Sequence, residues 1–299
     1  MRVLFLILFY TIGITFTFAQ YSFDTGTLMR NIKVLSSDSL EGRKTGTAGG
    51  EKARTYIINE LKKFSIEPFV SNYTQAFSTT QTFGMVQKGD GANILAVIPG
   101  KKKETIVISA HYDHLGIYNN EIYNGADDNA SGTVAILAIA QYFKKVAPEH
   151  RLIFAFFDAE ERGLKGSFHF VETIDLKGEN IVLNINLDMV SRSDKNELYV
   201  CGTFLYPELK ELIKPIKTPE GITLLFGHDD PILKREDWTS QSDQFNFHRK
   251  KIPFLYFGVE DHADYHRATD DVEKIDPAFY EKSVETILHA VNALDKGLH

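Results

Sequence analysis

Ile106-Val-Ile-Ser-Ala-His-Tyr-Asp-His-Leu-Gly116, followed by Asn124-Gly-Ala-Asp-Asp-Asn-Ala-Ser-Gly132, is the stretch on which the reading of this chain turns. An apolar, β-branched run ends in a histidine with a carboxylate two residues on, and paired aspartates stand where a long apolar helix should begin. On a strand His111 and Asp113 would point to one face, so the carboxylate can accept from the imidazole nitrogen that is not on a metal. Asp127 is then positioned to return a ligand to the same spot. Each piece alone has a plainer reading. Asp127, Asp128 and Asn129 also suit the cap of a helix over about 130–146, and His111 could simply close a strand.

The pattern repeats outward from this stretch. Residues 151–157 are almost wholly apolar, as expected of a strand buried on both faces of a mainly parallel sheet, and they run into Asp158-Ala-Glu-Glu-Arg-Gly-Leu-Lys-Gly-Ser167. A second such strand over 181–187 ends in Asp188-Met189. A third, over 252–258, precedes Val259-Glu-Asp-His-Ala-Asp-Tyr-His266. Shorter strands are expected at 93–98 and 197–200, and a long strand or edge hairpin at 70–87. Helices are expected at 27–35, at 277–294, and at 51–64, where Ala53, Ile57, Ile58, Leu61 and Phe64 keep helical spacing. Residues 37–50 read as a polar, glycine-rich loop whose spacing fits neither a phosphate-binding loop nor a dinucleotide fingerprint. Residues 191–251 are the least regular, and Gly227-His-Asp-Asp-Pro231 with Trp238 could overhang a site. The order predicts a single α/β domain, with a mixed, mainly parallel central sheet flanked by helices.

Composition is ordinary for a protein with a sizeable core: 299 residues, 43% hydrophobic and 24% charged. A net charge of -7 without a basic stripe argues against nucleic-acid binding. The N-terminus carries Arg2, an apolar run over 3–18 and Thr17-Phe18-Ala19, which reads as a secretory signal peptide cut after Ala19. Residues 20–299 would then be the catalytic domain, secreted or periplasmic, with no stable membrane association after cleavage. The single cysteine, Cys201, excludes an internal disulfide and reads as a small buried hydrophobe.

His111, the Glu160-Glu161 pair and Asp188 each follow a separate buried strand, His266 lies in the loop after another, and Asp127 sits at a helix start. In open α/β sheets, ligands bind outside the carboxyl ends of the strands. Two imidazoles and three carboxylates suit zinc. They are too many for one open zinc, whereas two ions sharing a carboxylate would use them all. Glu160 is left over as a free carboxylate able to act as a base.

These residues resemble the co-catalytic di-zinc aminopeptidases of the leucyl aminopeptidase and aminopeptidase S type, a superfamily shared with glutaminyl cyclases. The resemblance rests on His-x-Asp at 111–113, Gly-Ala-Asp-Asp-x-x-Ser-Gly from Gly125, Ala-Glu-Glu-x-Gly-x-x-Gly-Ser from Ala159, Leu-Asp-Met from Leu187 and Tyr265-His266. Upstream, Glu41-Gly-Arg-x-x-Gly-Thr-Ala-Gly49 resembles a segment common in bacterial members. The resemblance implies a zinc-exopeptidase fold, peptide substrates and two zinc ions. Asp127 would bridge the ions, His111 and Asp188 would complete one site, and Glu161 and His266 the other. Asp113 would orient His111, Glu160 would be the general base, and Tyr265 would donate its hydroxyl to the developing oxyanion. Members often carry Ser-Asp-His where this chain has Ser242-Asp-Gln244, so Gln244 receives no role. Asp264, Asp270 and Asp271 read as ordinary surface carboxylates. A glutaminyl cyclase with one zinc is the alternative enzyme. A metal-free, receptor-like relative is the non-enzymatic one, and it would have no need of Glu160. Oligomeric state is not written in these motifs.

Overall fold

The computed structural model describes residues 23–79, 90–174 and 178–298. The expected signal peptide, within residues 1–22, and most of the second half of the expected 70–87 hairpin lie outside the described residues.

Among the described residues, nine strands form one mixed sheet: β1 (Glu67–Pro68), β2 (Thr74–Phe77), β3 (Gly91–Ile98), β4 (Thr105–His111), β7 (Arg151–Phe157), β8 (Ile181–Leu187), β9 (Glu197–Cys201), β10 (Thr223–Phe226) and β11 (Phe254–Gly258). A small hairpin of β5 (Gly116–Tyr118) and β6 (Glu121–Tyr123) stands apart. The spatial order is β1-β3-β7-β4-β8-β11-β9-β10, with β2 also on β3. The four central strands, β7, β4, β8 and β11, are mutually parallel. Antiparallel β3 and β9 flank them. The mixed sheet expected from the sequence is therefore the observed one; parallel pairings are confined to its centre and to β9 with β10, the other four pairings are antiparallel, and the parallel centre brings four strand ends to one edge.

Side chains alternate across these strands. Ile106, Ile108 and Ala110 of β4 and Leu152, Phe154 and Phe156 of β7 face the larger core. That core also takes residues of α1 (Thr25–Leu35), α2 (Ala48–Lys63), α3 (Gly132–Lys145), α5 (Pro207–Ile213) and α7 (Pro277–Gly297). Val107, Ile153, Ala155 and Phe157 face the other side, where α4 (Lys165–Ile174) contributes Phe170, Val171 and Ile174 and α6 (Gln244–Arg249) contributes Phe247. Apolar residues at every position of β7 after Arg151 thus reflect burial on both faces. No helix among the described residues is long and apolar enough to cross a membrane.

Three local departures from expectation have physical causes. α2 starts at Ala48, three residues early, because the Thr47 side chain accepts from Gly50 N at its first turn. Residues 38–43, expected as loop, make 3-10 turns that deliver Arg43 into the interior. α3 starts at Gly132, not near 130, because Ala126–Ser131 form a wide π turn in which Asp128 and Asn129 leave helical φ/ψ. Gly132 is required there, since a Cβ would stand 2.4 Å from Asn129 Oδ1 and 2.5 Å from the Leu187 carbonyl oxygen. The same close approach seats the helix start against the end of β8.

Candidate metal centre

Four loops leave the carboxyl ends of the parallel strands and supply the titratable groups. β4 ends on His111 itself, and its ladder extends one residue further through Tyr112 N donating to the Phe157 carbonyl. β7 is followed by Glu160 and Glu161, β8 by Asp188, and β11 by the loop carrying His262, Tyr265 and His266. Ala159, Met189 and His266 all have positive φ, of 59°, 57° and 53°. Such backbone is uncommon for residues other than glycine, and here it bends the chain beside Glu160 and Asp188 and at His266 itself. The cavity these loops enclose is about 320 Å³. Its wall includes Trp238, Ser240 and Gln241, so part of the irregular 191–251 segment does overhang the site.

Two clusters meet at one carboxylate. His111 Nε2 lies 3.4 Å from Asp128 Oδ1 and 3.4 Å from Asp188 Oδ1. On the other side, His266 Nε2 lies 3.1 Å from Asp128 Oδ2 and 3.5 Å from Glu161 Oε2. The two oxygens of Asp128 therefore face two different sets of donors. His111, Asp188, Glu161 and His266 come together as the sequence reading expected, but Asp127 does not join them. Its Oδ1 accepts from Ser191 N (2.8 Å) and Ser191 Oγ (2.6 Å), and its Oδ2 sits 3.1 Å from His262 Nε2. The place between the two clusters that was expected for Asp127 is thus taken by Asp128, because the two successive side chains of the π turn point to opposite sides.

The turn is held from remote segments. Asp270, expected at the surface, is fully buried, and its carboxylate accepts from the backbone N–H groups of Asp127 and Asp128. Burial and the neighbouring Asp127 push the Asp270 carboxyl up to about 6. The buried Arg43 donates to the carbonyl oxygens of Tyr112, Leu35, Asn124 and Gly125, tying the loop after β4 to the chain just before the turn. That role gives the Glu41-Gly-Arg segment its place in the fold. Burial lowers the Arg43 guanidinium to about 10.

Asp113 lies beyond the end of β4, so it does not share a strand face with His111. His111 Nδ1 is 3.2 Å from the Asp113 carbonyl oxygen and 3.7 Å from its carboxylate. The carboxylate accepts from Glu160 N (3.1 Å) and from Thr45 Oγ1 (3.2 Å). One residue thus supports the His111 ring with its main chain and fixes the Glu160 backbone with its side chain. Tyr265 lines the cavity with its ring stacked on His266, centroids 4.0 Å apart, and burial raises its phenol. Two buried groups had escaped the sequence reading. Asp243 is fully buried, and burial raises its carboxyl to about 7. Gln244 accepts from Asn186 Nδ2 and donates to the Trp238 carbonyl, which ties the overhanging loop to β8.

Electrostatics and hydrogen bonding both fit a cation here. Burial alone would lower the His111 imidazole, yet Asp188, Glu160, Asp113 and Asp128 hold it well above its ordinary value. Burial, with Asp243, Asp188 and Glu161, raises the Glu160 carboxyl well above its own. Asp188 Oδ1 and Glu161 Oε1 are buried without a hydrogen-bond partner. Most buried polar atoms in folded proteins are paired, and crowded carboxylates with imidazole nitrogens are the donor set zinc takes.

A pH test follows from these shifts. In metal-free protein, Asp243 (about 7), Asp158 and Asp270 (each about 6), and the raised His111, His262 and His266, bind more protons folded than unfolded. Their contribution to stability is present at low pH and lost as pH rises through those values. Asp128 and His169 have the opposite sign, but the lowered Asp128 carboxyl matters only below the ordinary carboxylate range, and the one half-buried His169 imidazole, lowered by burial, opposes six raised groups. Metal binding displaces such protons and weakens in acid. Melting of chelator-treated protein is therefore expected to move up between pH 8 and about pH 5.5 while the increment conferred by zinc shrinks. A metal-free protein that loses stability over the upper half of that interval would contradict the assignment.

Comparison with known proteins bears on this geometry. The profile of peptidase family M28 matches residues 93–291. Leucine aminopeptidase 1 of Leptosphaeria maculans is 32% identical over 142 residues, which is 42% of this chain and 37% of that protein. The chain therefore spans little more than a third of the length of that curated relative. Among solved structures, the LapA aminopeptidase of Legionella pneumophila superposes with a TM-score of 0.71 at 18% identity, covering 93% of this chain and 73% of that one. A Bacteroides thetaiotaomicron glutaminyl cyclase bound to N-acetylhistamine superposes with a TM-score of 0.69 at 18% identity, covering 90% and 98%. At such identities the two structures share the fold.

Proposed function

This chain belongs to peptidase family M28, and from that premise we propose that it is an exported zinc aminopeptidase that removes N-terminal residues from peptides at a two-zinc centre. The observation that carries the proposal is the Asp128 carboxylate, whose two oxygens face His111 and Asp188 on one side and His266 and Glu161 on the other. Glu160 stands beside both clusters without belonging to either. The aminopeptidase names of the curated relative and of one structural neighbour support the substrate class.

Zinc held by these residues would supply an acidified water and a Lewis acid for the scissile carbonyl. Glu160 accepts the proton of the attacking water and passes it to the leaving amine. Its raised carboxyl suits delivery of the proton, and a dication held by these residues would favour the ionised form that accepts it. Asp113 holds the Glu160 main chain through its N–H and backs His111. Tyr265, kept protonated by burial, donates to the oxygen on which negative charge develops. Trp238 and Gln241 line the same cavity and are placed to contact a bound substrate.

The test is metal content of purified protein together with hydrolysis of an aminoacyl anilide series and turnover of a peptide beginning with glutamine. About two zincs per chain with anilide hydrolysis is the expected result. One zinc with cyclisation and no hydrolysis would assign the protein to the cyclase chemistry instead, and absence of bound metal would overturn both. Export is part of the proposal, and protein recovered outside the cytoplasm should begin at Gln20.

A further inference from the structure

His114 lies outside the five-ligand set, yet it is among the most buried polar side chains of the centre, with 1% of its surface exposed. A neutral imidazole has one nitrogen that donates and one that accepts. Here neither nitrogen has a hydrogen-bond partner. Nδ1 is 2.8 Å from Glu161 Oε1, but the pair does not meet hydrogen-bond geometry, and that oxygen is likewise buried and unpartnered. Two orphaned polar atoms side by side leave a need that a cation between the groups would meet.

The same Nδ1 is 3.8 Å from Asp128 Oδ2, the oxygen that His266 Nε2 approaches to 3.1 Å. The rings of His114 and His266 stand 6.0 Å apart, centre to centre, on either side of the Asp128 and Glu161 carboxylates. The His114 ring is built into place: a Cβ on residue 125 would fall 2.5 Å from its Cδ2, so a glycine is needed there for the backbone to close over the ring. The first cluster, by contrast, has a single imidazole, His111, with Asp128 and Asp188.

We propose that His114 is a ligand of the second metal, which is then held by four protein side chains: Asp128, Glu161, His266 and His114. This rests on the zinc reading above. Four protein ligands are the mark of a closed zinc site and three that of an open one. The two positions are therefore unequal: the second is tight and closed, and the first keeps the open position beside Glu160 and exchanges its metal more readily.

The experiment needs no variant at the outset. Full-length protein labelled with nitrogen-15 and loaded with cadmium-113 should show metal–nitrogen couplings to three imidazoles, one of which disappears in His114→Gln. Zinc titration of His114→Gln should weaken one site by more than about 100-fold and leave the other unchanged, because losing a group that merely orients a ligand costs about 10- to 100-fold. Circular dichroism of the metal-free variant separates loss of metal from loss of fold. Couplings to two imidazoles in the parent, or a smaller loss of affinity in the variant, would overturn the role of His114 and leave the two-zinc reading standing. Failure of the parent to bind cadmium or zinc would instead overturn that reading.

Discussion

Glu160→Gln is expected to bind zinc like the parent and to turn over its substrates about 10²- to 10⁴-fold more slowly, the range for loss of a positioned general base. The substitution keeps the shape of the side chain and the backbone N–H that donates to Asp113, so the loop after β7 has no reason to move. It removes the one function asked of the residue, which is to take up and release a proton. Glu160 belongs to neither of the metal-capable groups around Asp128, which are His111 with Asp188 and His114 with Glu161. Zinc content by elemental analysis and kcat with an aminoacyl anilide check both halves. A variant that keeps its activity would exclude Glu160 as the base, and one that loses its zinc would make it a ligand.

The second large effect separates neighbours that the sequence presents as equals. Asp128→Asn is expected to lower zinc content and to abolish measurable turnover, because the carboxylate that serves both clusters loses one anionic oxygen and its charge. Asp127→Asn should retain both metals. Its cost is structural: it weakens the acceptor for Ser191 N, Ser191 Oγ and His262, a loss of about 1–3 kcal/mol of stability for a buried hydrogen-bonded charge. Zinc stoichiometry and thermal denaturation of the pair decide the matter. Loss of metal in Asp127→Asn with retention in Asp128→Asn would reverse the assignment of the bridge.

The strands most legible in the sequence were those buried on both faces. Residues 151–157 and 181–187 were expected at the bounds now observed for β7 and β8, because each is a largely apolar run, broken only by Arg151 in one and by Asn184 and Asn186 in the other, with a polar residue at its exit. Elements governed by contacts from afar were read less well. The start of α3 moved to Gly132 because the wide turn before it is pinned by Asp270 and Arg43, residues distant in sequence on either side. Asp270 itself looked like a surface carboxylate, since nothing in its flanking residues announces that two backbone N–H groups will meet it.

The same division runs through the site. His111, Glu160, Glu161, Asp188 and His266 could be picked out along the chain because each follows a buried strand, and parallel strands deliver their carboxyl ends to one edge. That placement is set by hydrophobic pattern, which local sequence carries. Which of Asp127 and Asp128 faces the histidines, how Asp113 divides its main chain and side chain between His111 and Glu160, and the burial of His114 beneath Gly125 depend on side-chain direction within turns. Direction there is imposed by hydrogen bonds donated by Arg43 and Ser191 and accepted by Asp270, and by close packing against other segments, so it exists only once the chain has closed on itself.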